Sequence, residues 1–410
     1  MMGLNNLKIS FFLAKKSITK GNKSTIALTI LIMALAYINL VFISSILMGI
    51  IDTMNRQAIN NQVANIVIEP EKDETYIKQV RAVLTKVNSV PGVIGSSAHY
   101  ATGAVFSFDE NKDGENINTG SFAVKSIDPA DEKKTTIIYK GIVSGSYLDE
   151  NDRNKIILGK EIAGGFGASM ENQALGVKVG DKIELSFKNG IKREYEIKGV
   201  FDAKNIDSDL MAFITRKEME SILNLNDRAT EIIVKTRDTG NEEKYIRQFR
   251  DLGLTKEEIK PWKDYMGMVD SLSDSLGVIR IIISIIGLVV AGITIFIVIF
   301  ISVINKRKQI GILRAIGIEE KIIIRSYVIQ AMFYAILGVG MGLFLTYFFL
   351  IPYFEKNPLD FPMGPVGLVA TFNDLAINSL SLIAAAIVAG FIPSWQATRE
   401  DIVKAIWGAQ

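Results

Sequence analysis

The stretch TIALTILIMALAYINLVFISSILMGII, from Thr25 to Ile51, contains no charged residue over 27 positions. About 20 apolar residues are enough to cross the hydrocarbon core of a bilayer, so this stretch predicts a transmembrane helix. A cleaved signal peptide would have a shorter apolar region followed by a site of small residues, and neither is found here. The N-terminal part of the chain therefore predicts a membrane protein.

Later apolar stretches predict three more spans, at residues 281–304, 326–350 and 375–392. The composition agrees, because 49% of the residues are hydrophobic and only 22% are charged. Gly338, Gly340 and Gly342 lie inside the stretch 326–350, where glycines indicate close packing between helices. The sequence predicts an α-helical membrane protein with four transmembrane helices and a large domain between the first and the second.

The charges beside the spans predict the orientation of the chain. Residues 1–24, 305–325 and 394–410 together carry 13 basic and 4 acidic side chains, whereas residues 52–277 carry 31 basic and 37 acidic ones. Short loops rich in Lys and Arg stay in the cytoplasm. We therefore expect a multi-pass protein of the cytoplasmic (inner) membrane, with both termini in the cytoplasm and residues 52–277 outside it.

Residues 52–277 have the patterns of a mixed α/β domain. The sequence predicts strands at 65–69, 183–187, 193–201 and 231–235, and helices at 74–87, 215–225 and 242–252. The dipeptide Asn189-Gly190 separates two of these strands and is typical of a β-hairpin turn. Pro91-Gly92 predicts a turn before a further strand.

Several kinds of site are excluded by composition. The chain has no cysteine, a single histidine, His99, and no G-x-x-x-x-G-K-[ST] motif. It therefore offers no thiol nucleophile, cysteine-based zinc site or ATP-binding loop of its own. His99 lies close to Ser97, but no hydrolase motif accompanies the pair. A net charge of +2 gives no basic field for nucleic acid. We predict a non-catalytic protein without a metal or other cofactor.

One segment resembles the opening of a calcium loop. Asp109 to Gly114 matches D-x-N-x-D-G, in which alternate oxygen ligands converge on one cation. Gly120 stands where the bidentate glutamate of such a loop would be. The segment therefore predicts a polar turn, and calcium binding there is left open.

A seam of larger side chains leads into the second span. Its members are separated by four, three, four and three residues, and they are Tyr265, Val269, Leu272, Leu276 and Ile279. This spacing predicts a helix that enters the membrane without a break and packs along a second helix as a stiff stalk. The alternative is a local packing seam that ends at the surface.

The loop between the second and third spans, residues 305–325, reads NKRKQIGILRAIGIEEKIIIR. Its isoleucines and leucine alternate with Lys, Arg and Glu, as in an amphipathic helix. Such a helix suits either the membrane surface or a groove on a cytoplasmic partner.

Five motifs, taken in chain order, resemble FtsX-like and MacB-like permeases of ATP-binding-cassette (ABC) systems, a superfamily that includes the lipoprotein-releasing permeases. The motifs are IILGKEIA (156–163), VGDKIEL (179–185), IKGVF (197–201), KQIGILRAIGI (308–318) and PSWQATREDIVKAI (393–406). The resemblance covers nearly the whole chain. It implies a cytoplasmic N-terminal segment (1–24), a first span (25–51), an extracytoplasmic MacB-like domain (52–277) and an FtsX-like permease domain (278–410). Within the MacB-like domain it implies an inserted subdomain at about 139–205.

The resemblance also implies partners and a mechanism. We expect a dimer of permeases, identical or different, bound to two cytoplasmic ATPase subunits on a separate chain and surrounded by membrane lipids. An accessory protein outside the cytoplasm is a further expected partner. The residues implied as contacts that couple the permease to the ATPase are Arg314, Ala315, Gly317, Glu319 and Glu320.

Two functions follow from this assembly. In the first, ATP hydrolysis by the partner moves the outside domain and so exports or extracts a lipoprotein, peptide or lipophilic compound by mechanotransmission. In the second, as in FtsX, the same movement activates an outside partner such as a cell-wall hydrolase. The sequence names neither the substrate nor the second permease.

Overall fold

The computed structural model describes residues 2–110, 117–168, 174–223, 227–265, 267–361 and 364–399, without the side chains of residues 2–5 and 268–270. Within these ranges the chain forms a helical unit, drawn from residues 1–52, 272–360 and 365–410, and an α/β unit, drawn from residues 53–271 and 361–364.

The longest helices are continuous over lengths that exceed the membrane. The helices are α1 (Met2–Thr19), α2 (Lys23–Asn61), α3 (Val80–Asn88), α4 (Pro129–Thr135), α5 (Lys160–Ala163), α6 (Ile206–Asp209), α7 (Arg216–Leu223), α8 (Glu242–Asp251), α9 (Gly267–Asn305), α10 (Arg307–Ala315), α11 (Glu320–Leu345), α12 (Ile351–Lys356) and α13 (Phe372–Thr398). A π-helical turn joins α11 to α12. At about 1.5 Å per residue, the 39 residues of α2 and of α9 each rise about 58 Å, against about 30 Å of hydrocarbon core.

Among the described residues, four helices are long and apolar enough to cross a membrane: Lys23–Asn61, Ser271–Asn305, Glu320–Lys356 and Phe372–Thr398. The predicted fold class, four membrane helices with a large α/β domain between the first two, is confirmed.

The last apolar stretch predicted from the sequence stops at residue 392, directly before Pro393, whereas helix α13 continues through this proline to Thr398. Ser394 and Thr398 are fully buried in the helical unit, and the Ser394 hydroxyl donates to the Gly390 carbonyl at 2.8 Å. Packing of these residues keeps the backbone helical although the proline supplies no N–H.

Two of the three glycines in α11 face the first span. A Cβ atom at Gly338 would overlap Met33, and one at Gly342 would lie 2.6 Å from Cδ1 of Tyr37. Nothing within the described residues lies within 4 Å of a Cβ built at Gly340. Close packing is therefore confirmed at the first two positions and does not extend to the third.

The α/β unit is organised around one large sheet. The strands of the chain are β1 (Ile66–Glu69), β2 (Ile77–Lys78), β3 (Val93–Asp109), β4 (Ile117–Ile127), β5 (Ile142–Gly145), β6 (Lys155–Gly159), β7 (Lys182–Phe187), β8 (Lys192–Phe201), β9 (Met211–Thr215), β10 (Arg228–Ala229), β11 (Glu231–Thr236), β12 (Glu258–Pro261), β13 (Leu359–Phe361) and β14 (Gly364–Val366). In the large sheet neighbours run β12-β1-β11-β3-β4-β9-β6-β8-β5, and β7 pairs with β3 and β8.

Most predicted elements of this unit are present, and one begins late. The hairpin around Asn189-Gly190 forms as β7 and β8, with Gly190 at φ +82°. The helix expected from residue 74 begins only at Val80, because Ile77 and Lys78 pair with β10 and Gln79 is left-handed at φ +54°. Strand pairing has overridden the helical spacing of residues 74–79.

Strand β3 is shared by two hydrophobic clusters. Near its start, Ala98 packs in a cluster with α3, α8, β1 and β11, which includes Phe249. Further along, Phe106 packs in a second cluster with β4 and β6–β9. Strand β3 therefore runs from one cluster to the other.

Candidate functional site

The loop after the second span forms a short helix with a defined end. Helix α10 stops at Ala315, the Gly317 N–H bonds the Arg314 carbonyl at 3.0 Å, and the Ile318 N–H bonds the Leu313 carbonyl at 3.1 Å. This is the Schellman pattern, in which the residue after the cap is left-handed. Gly317 has φ +94°, a conformation that glycine adopts without strain.

The turn at Gly317 presents charged and apolar side chains to solvent. Arg314 Nη2 lies 2.9 Å from Glu320 Oε1, which ties the end of α10 to the start of α11. Ala315 and Glu319 are exposed, and Ile316 is 71% exposed at the tip. An isoleucine this open beside a charged pair is suited to contact a partner protein.

The N-terminal helix α1 packs against this region. The Ser10 hydroxyl, fully buried, donates to the Ile322 carbonyl of α11 at 3.1 Å. The Ser17 hydroxyl donates to Gln330 Oε1 at 2.9 Å, and Lys306 hydrogen-bonds to Ser17. Helices α1, α10 and α11 therefore form one assembly at this end of the spans.

A cavity of about 330 Å³ opens between these three helices. Lys16, Lys20 and Lys306 are among its lining residues, together with the polar side chains of Ser17 and Gln330. Burial lowers the pKa of Lys306. The basic lining agrees with the excess of Lys and Arg that the sequence places at this end of the spans.

At the opposite end of the spans, an ion pair joins two helices of the helical unit. Arg280 Nη1 of α9 lies 3.1 Å from Asp374 Oδ1 in the first turn of α13. The Thr371 hydroxyl donates to the same carboxylate at 2.6 Å and accepts the Asp374 N–H, so it caps α13.

Only part of the predicted seam lies on helix α9. Tyr265 lies in the 3₁₀ turn Trp262–Tyr265 and packs against the cluster of Trp262, because α9 begins only at Gly267. Leu272 and Ile279 are exposed on α9 and Leu276 is half-buried. The side chain of Val269 lies outside the described residues. The pairing of this seam with a second helix stays a prediction.

The α/β unit contains a buried network of charged side chains. The only histidine, His99 on β3, places Nε2 at 2.7 Å from Glu132 Oε2 and Nδ1 at 3.1 Å from Glu231 Oε1. Lys125 Nζ of β4 lies 2.7 Å from the same Glu231 oxygen. The hydroxyls of Ser97 and Thr136 donate to Glu132 at 2.6 and 2.9 Å, and those side chains complete the network.

The network keeps its ring and carboxylates charged. Burial alone would lower the pKa of His99, but the two carboxylates, Glu132 foremost, outweigh it and raise the pKa to about 9. Burial would raise the pKa of Glu231, yet Lys125 and His99 hold that pKa well below its usual range. Glu132 has a lowered pKa for the same reason, with His99 as the main cation. Both ring nitrogens thus donate, and Ser97 serves a carboxylate rather than a nucleophilic pair.

A further buried carboxylate differs from Glu132, because its pKa is raised rather than lowered. Asp209, at the end of α6, accepts the Ala203 N–H at 2.6 Å, and burial with the nearby charge of Asp202 raises its pKa to about 7. Lys160 offsets part of this effect; it lies 3.3 Å from Asp202.

Sequence reasoning missed both buried groups and the packing of α1. The partners of His99 lie 33 and 132 residues away and the partner of Ser10 lies 312 away, and no local pattern links them. The one sequence feature that pointed to a buried charge was Lys125, which lies inside the apolar strand segment FAVKSI. At the calcium-like segment, Asp109 ends β3, and Gly120 of β4 pairs with Phe106 of β3. Residues 111–116 lie outside the described residues.

Comparison with known proteins matches two family models in chain order. Residues 26–252 match the MacB-like periplasmic core domain, and residues 281–402 match the FtsX-like permease C-terminal domain.

Individual relatives match parts of the chain. The chain is 24% identical to the macrolide export ATP-binding/permease protein MacB of Syntrophobacter fumaroxidans over 43% of this chain and 25% of that protein. It is 26% identical to an uncharacterized ABC transporter permease of Methanocaldococcus jannaschii over 50% of each chain. The matches thus span a quarter to a half of these curated relatives. The crystal structure of the periplasmic region of MacB from Actinobacillus actinomycetemcomitans aligns with a TM-score of 0.37 at 10% identity, covering 53% of this chain and 98% of that one.

The first family model alone covers more than half of the chain, and the second covers residues 281–402, in which candidate membrane helices lie. The chain therefore belongs to the family of ABC transporter permeases that combine a MacB-like periplasmic core domain with an FtsX-like permease domain.

Proposed function

We propose that the chain is the permease of an ABC transporter that works by mechanotransmission. An ATP-binding-cassette ATPase, which these 410 residues do not contain, binds the cytoplasmic face of a dimer of permeases. Its closure moves the extracytoplasmic domain and so exports or extracts a lipoprotein, peptide or lipophilic compound. The substrate moves outside the membrane and the permease itself performs no catalysis.

The observation that carries this proposal is the length of α2 and α9. Both are unbroken for 39 residues, about 58 Å, and they flank the α/β unit in the chain. Roughly half of each helix is enough to span the bilayer. Unbroken helices that continue past the membrane can carry a displacement from one side of it to the other.

The inner contact is proposed at α10 and the turn after it. Arg314, Ala315, Gly317, Glu319 and Glu320 lie around the exposed Ile316, and α1 packs behind them. We propose that the ATPase takes Ile316 into a groove and that the surrounding charges orient it. A displacement of α10 would pass to α9 through residue 306 and to α11 through the Arg314–Glu320 pair.

The outer moving part is proposed to be the α/β unit with its inserted subdomain. Strand β4 ends at Ile127 and β9, its parallel neighbour, begins at Met211. The segment between them contributes β5 to β8, which belong to the same sheet, and it contains the proposed insert at residues 139–205.

The partnership is tested by purifying the tagged chain from its own cells and identifying co-purifying proteins by mass spectrometry, followed by an ATP hydrolysis assay. We expect an ABC ATPase and ATP hydrolysis that both disappear in an Ile316→Asp variant. Recovery of the chain without any ATPase, in detergent and in nanodiscs, would refute the proposal.

The mechanical step is tested by replacing residues 272–276 of α9 with five glycines or, as the matched control, five alanines. Both variants lose the same side chains, but each glycine disfavours the helix by about 1 kcal/mol relative to alanine. The chain has no cysteine, so spin labels at Lys188→Cys and Lys356→Cys report movement without background. We expect the ATP-dependent change in label distance to persist with alanines and to vanish with glycines. Persistence in both variants would refute transmission through this helix.

A further inference from the structure

A groove of about 650 Å³ runs along the outer surfaces of α11 and α13, within the helical unit. At one end it is lined by three basic side chains, Lys321, Arg325 and Arg399. Further along, the groove is lined by apolar and aromatic side chains, among them Ile387, Val388, Phe391 and Trp395. The groove therefore changes from cationic to apolar along its length.

The positions of these residues follow from the packing of the two helices. A Cβ atom at Gly390 would lie 2.6 Å from Cβ of Ala331, which places these residues at one level of the antiparallel pair. With about 1.5 Å per residue, Arg325 lies about 9 Å from that level, and Trp395 about 7.5 Å away on the same side. Lys321 and Arg399 lie still further out, at about 15 and 13.5 Å.

The basic end is available to an anion. Among the described residues, no carboxylate oxygen lies within 4 Å, the limit for a salt bridge, of the charged nitrogens of Lys321, Arg325 or Arg399. Among the described residues of the lining, Glu320 is the acidic one, and it is held by Arg314. The Arg399 guanidinium stacks 4.4 Å above the Trp395 ring, which holds its charge at the mouth of the groove.

The apolar end faces lipid. Val388 is 62% and Phe391 is 47% exposed on a helix that crosses the membrane. Trp395 lies between these apolar residues and the basic end of the groove. Tryptophan commonly anchors a helix at this level, where the membrane meets water.

We propose that this groove binds an anionic phospholipid, with the headgroup phosphate between Lys321, Arg325 and Arg399 and an acyl chain along Val388 and Phe391. The basic end and the apolar wall together favour a phospholipid over a water-soluble protein as the occupant of the groove. A water-soluble protein could use the basic end only, whereas a phospholipid matches both ends of the groove. Basic pockets between transmembrane helices bind anionic headgroups in this way.

The test uses the full chain in nanodiscs, with Trp262 and Trp407 replaced by Phe so that Trp395 is the one remaining tryptophan. Brominated phosphatidylglycerol or brominated phosphatidylcholine is added at equal low mole fraction to unlabelled phosphatidylcholine, and quenching of Trp395 is measured. We expect stronger quenching by the brominated phosphatidylglycerol. Native mass spectrometry of the wild-type chain, which needs no tryptophan replacement, should show retained phosphatidylglycerol.

The variant Lys321→Gln with Arg325→Gln should weaken the preference by about fivefold for each charge removed. The matched control, Lys8→Gln with Lys15→Gln, removes two exposed charges from α1 and should leave the preference unchanged. Equal quenching by the two lipids, or equal loss in both variants, would overturn the proposal. A preference for phosphatidylglycerol that appears only after residues 400–410 are deleted would also overturn the proposal. The same holds if the variant Lys321→Gln with Arg325→Gln loses the ATPase but keeps the lipid preference.

Discussion

The His99→Gln variant should lower the free energy of unfolding of the α/β unit by about 3–5 kcal/mol, the cost of removing one partner from a buried ion pair. His99 is 2% exposed and contacts a carboxylate through each ring nitrogen. Glutamine is neutral, so Glu132 would remain buried and Glu231 half-buried, with Lys125 as the nearby cation. Lys125 reaches only Glu231, and Glu132 would keep hydroxyl donors alone.

The pH dependence gives a second, independent signature of His99. Because the folded state raises the pKa of His99 from 6.5 to about 9, its stabilisation is complete below pH 6.5 and is lost as the pH rises through 9. A shift of this size corresponds to about 3 kcal/mol at 1.36 kcal/mol per unit. Glu132 and Glu231 have lowered pKa values, so their contribution is present above about pH 4.5 and is lost on acidification. The network is therefore most stabilising between about pH 5 and 6.5.

The assay is urea unfolding of the chain in nanodiscs at pH 6 and at pH 9.5, followed by the fluorescence of Trp262. This tryptophan is buried against β1 and β11, and Phe at Trp395 and Trp407 removes the other two signals. The control Ser97→Ala removes one hydroxyl donor to Glu132, should cost about 1 kcal/mol, and should keep the pH dependence of the wild type. If His99→Gln lost as much stability as the wild type between the two pH values, the histidine would not be the titrating group and the reasoning would fail.

Three further changes have definite expected outcomes. Because an exposed ion pair contributes less than about 1 kcal/mol, Arg314→Glu should leave thermal stability unchanged while abolishing stimulation of the co-purified ATPase. Restoration of that stimulation by adding Glu320→Arg would contradict a direct contact with the ATPase. Gly338→Leu should destabilise the helical unit by about 1–3 kcal/mol through overpacking, measured as thermal aggregation in detergent, whereas Gly340→Leu serves as the open-space control. Asp209→Asn should raise the free energy of unfolding by up to about 4 kcal/mol above pH 7, because it removes a buried negative charge. Below pH 4 it should change nothing, because the protonated aspartate is already neutral. Equal effects at both pH values would contradict this.

The sequence was informative wherever one physical term acts over a short stretch. Hydrophobic length identified the membrane helices, and Asn189-Gly190 with its flanking alternation identified the β7–β8 hairpin. The same reasoning failed where a distant partner decides the local structure. Residues 74–79 have helical spacing, but Ile77 and Lys78 pair with β10. The predicted apolar stretch stops before Pro393, but α13 continues to Thr398, where buried side chains pack.

The candidate site divides in the same way. The amphipathic pattern of residues 305–325 predicted a helix suited to the membrane surface or to a groove on a partner, and Gly317 forms the cap at the end of helix α10. The attachment of α1 through Ser10 depends on a carbonyl 312 residues away, and a serine in an amphipathic helix carries no mark of that role. Burial of a polar group is a property of the whole fold, so a single sequence without an alignment does not reveal it.

The position of the His99 network bears on the proposed mechanism. A domain that is moved by its ends loses displacement at any internal joint that bends, and β3 runs from one hydrophobic cluster of the α/β unit to the other. His99 lies on β3 between Ala98 of one cluster and Phe106 of the other, and the other charged members of the network lie on α4, β4 and β11. Ion pairs and hydrogen bonds are directional, whereas apolar contacts tolerate sliding, so we expect the network to resist bending along β3. A His99→Gln chain held below its unfolding temperature should therefore keep ATP hydrolysis and show a smaller ATP-dependent change between labels at Lys188→Cys and Lys356→Cys. An unchanged distance would mean that the network stabilises the fold without stiffening it.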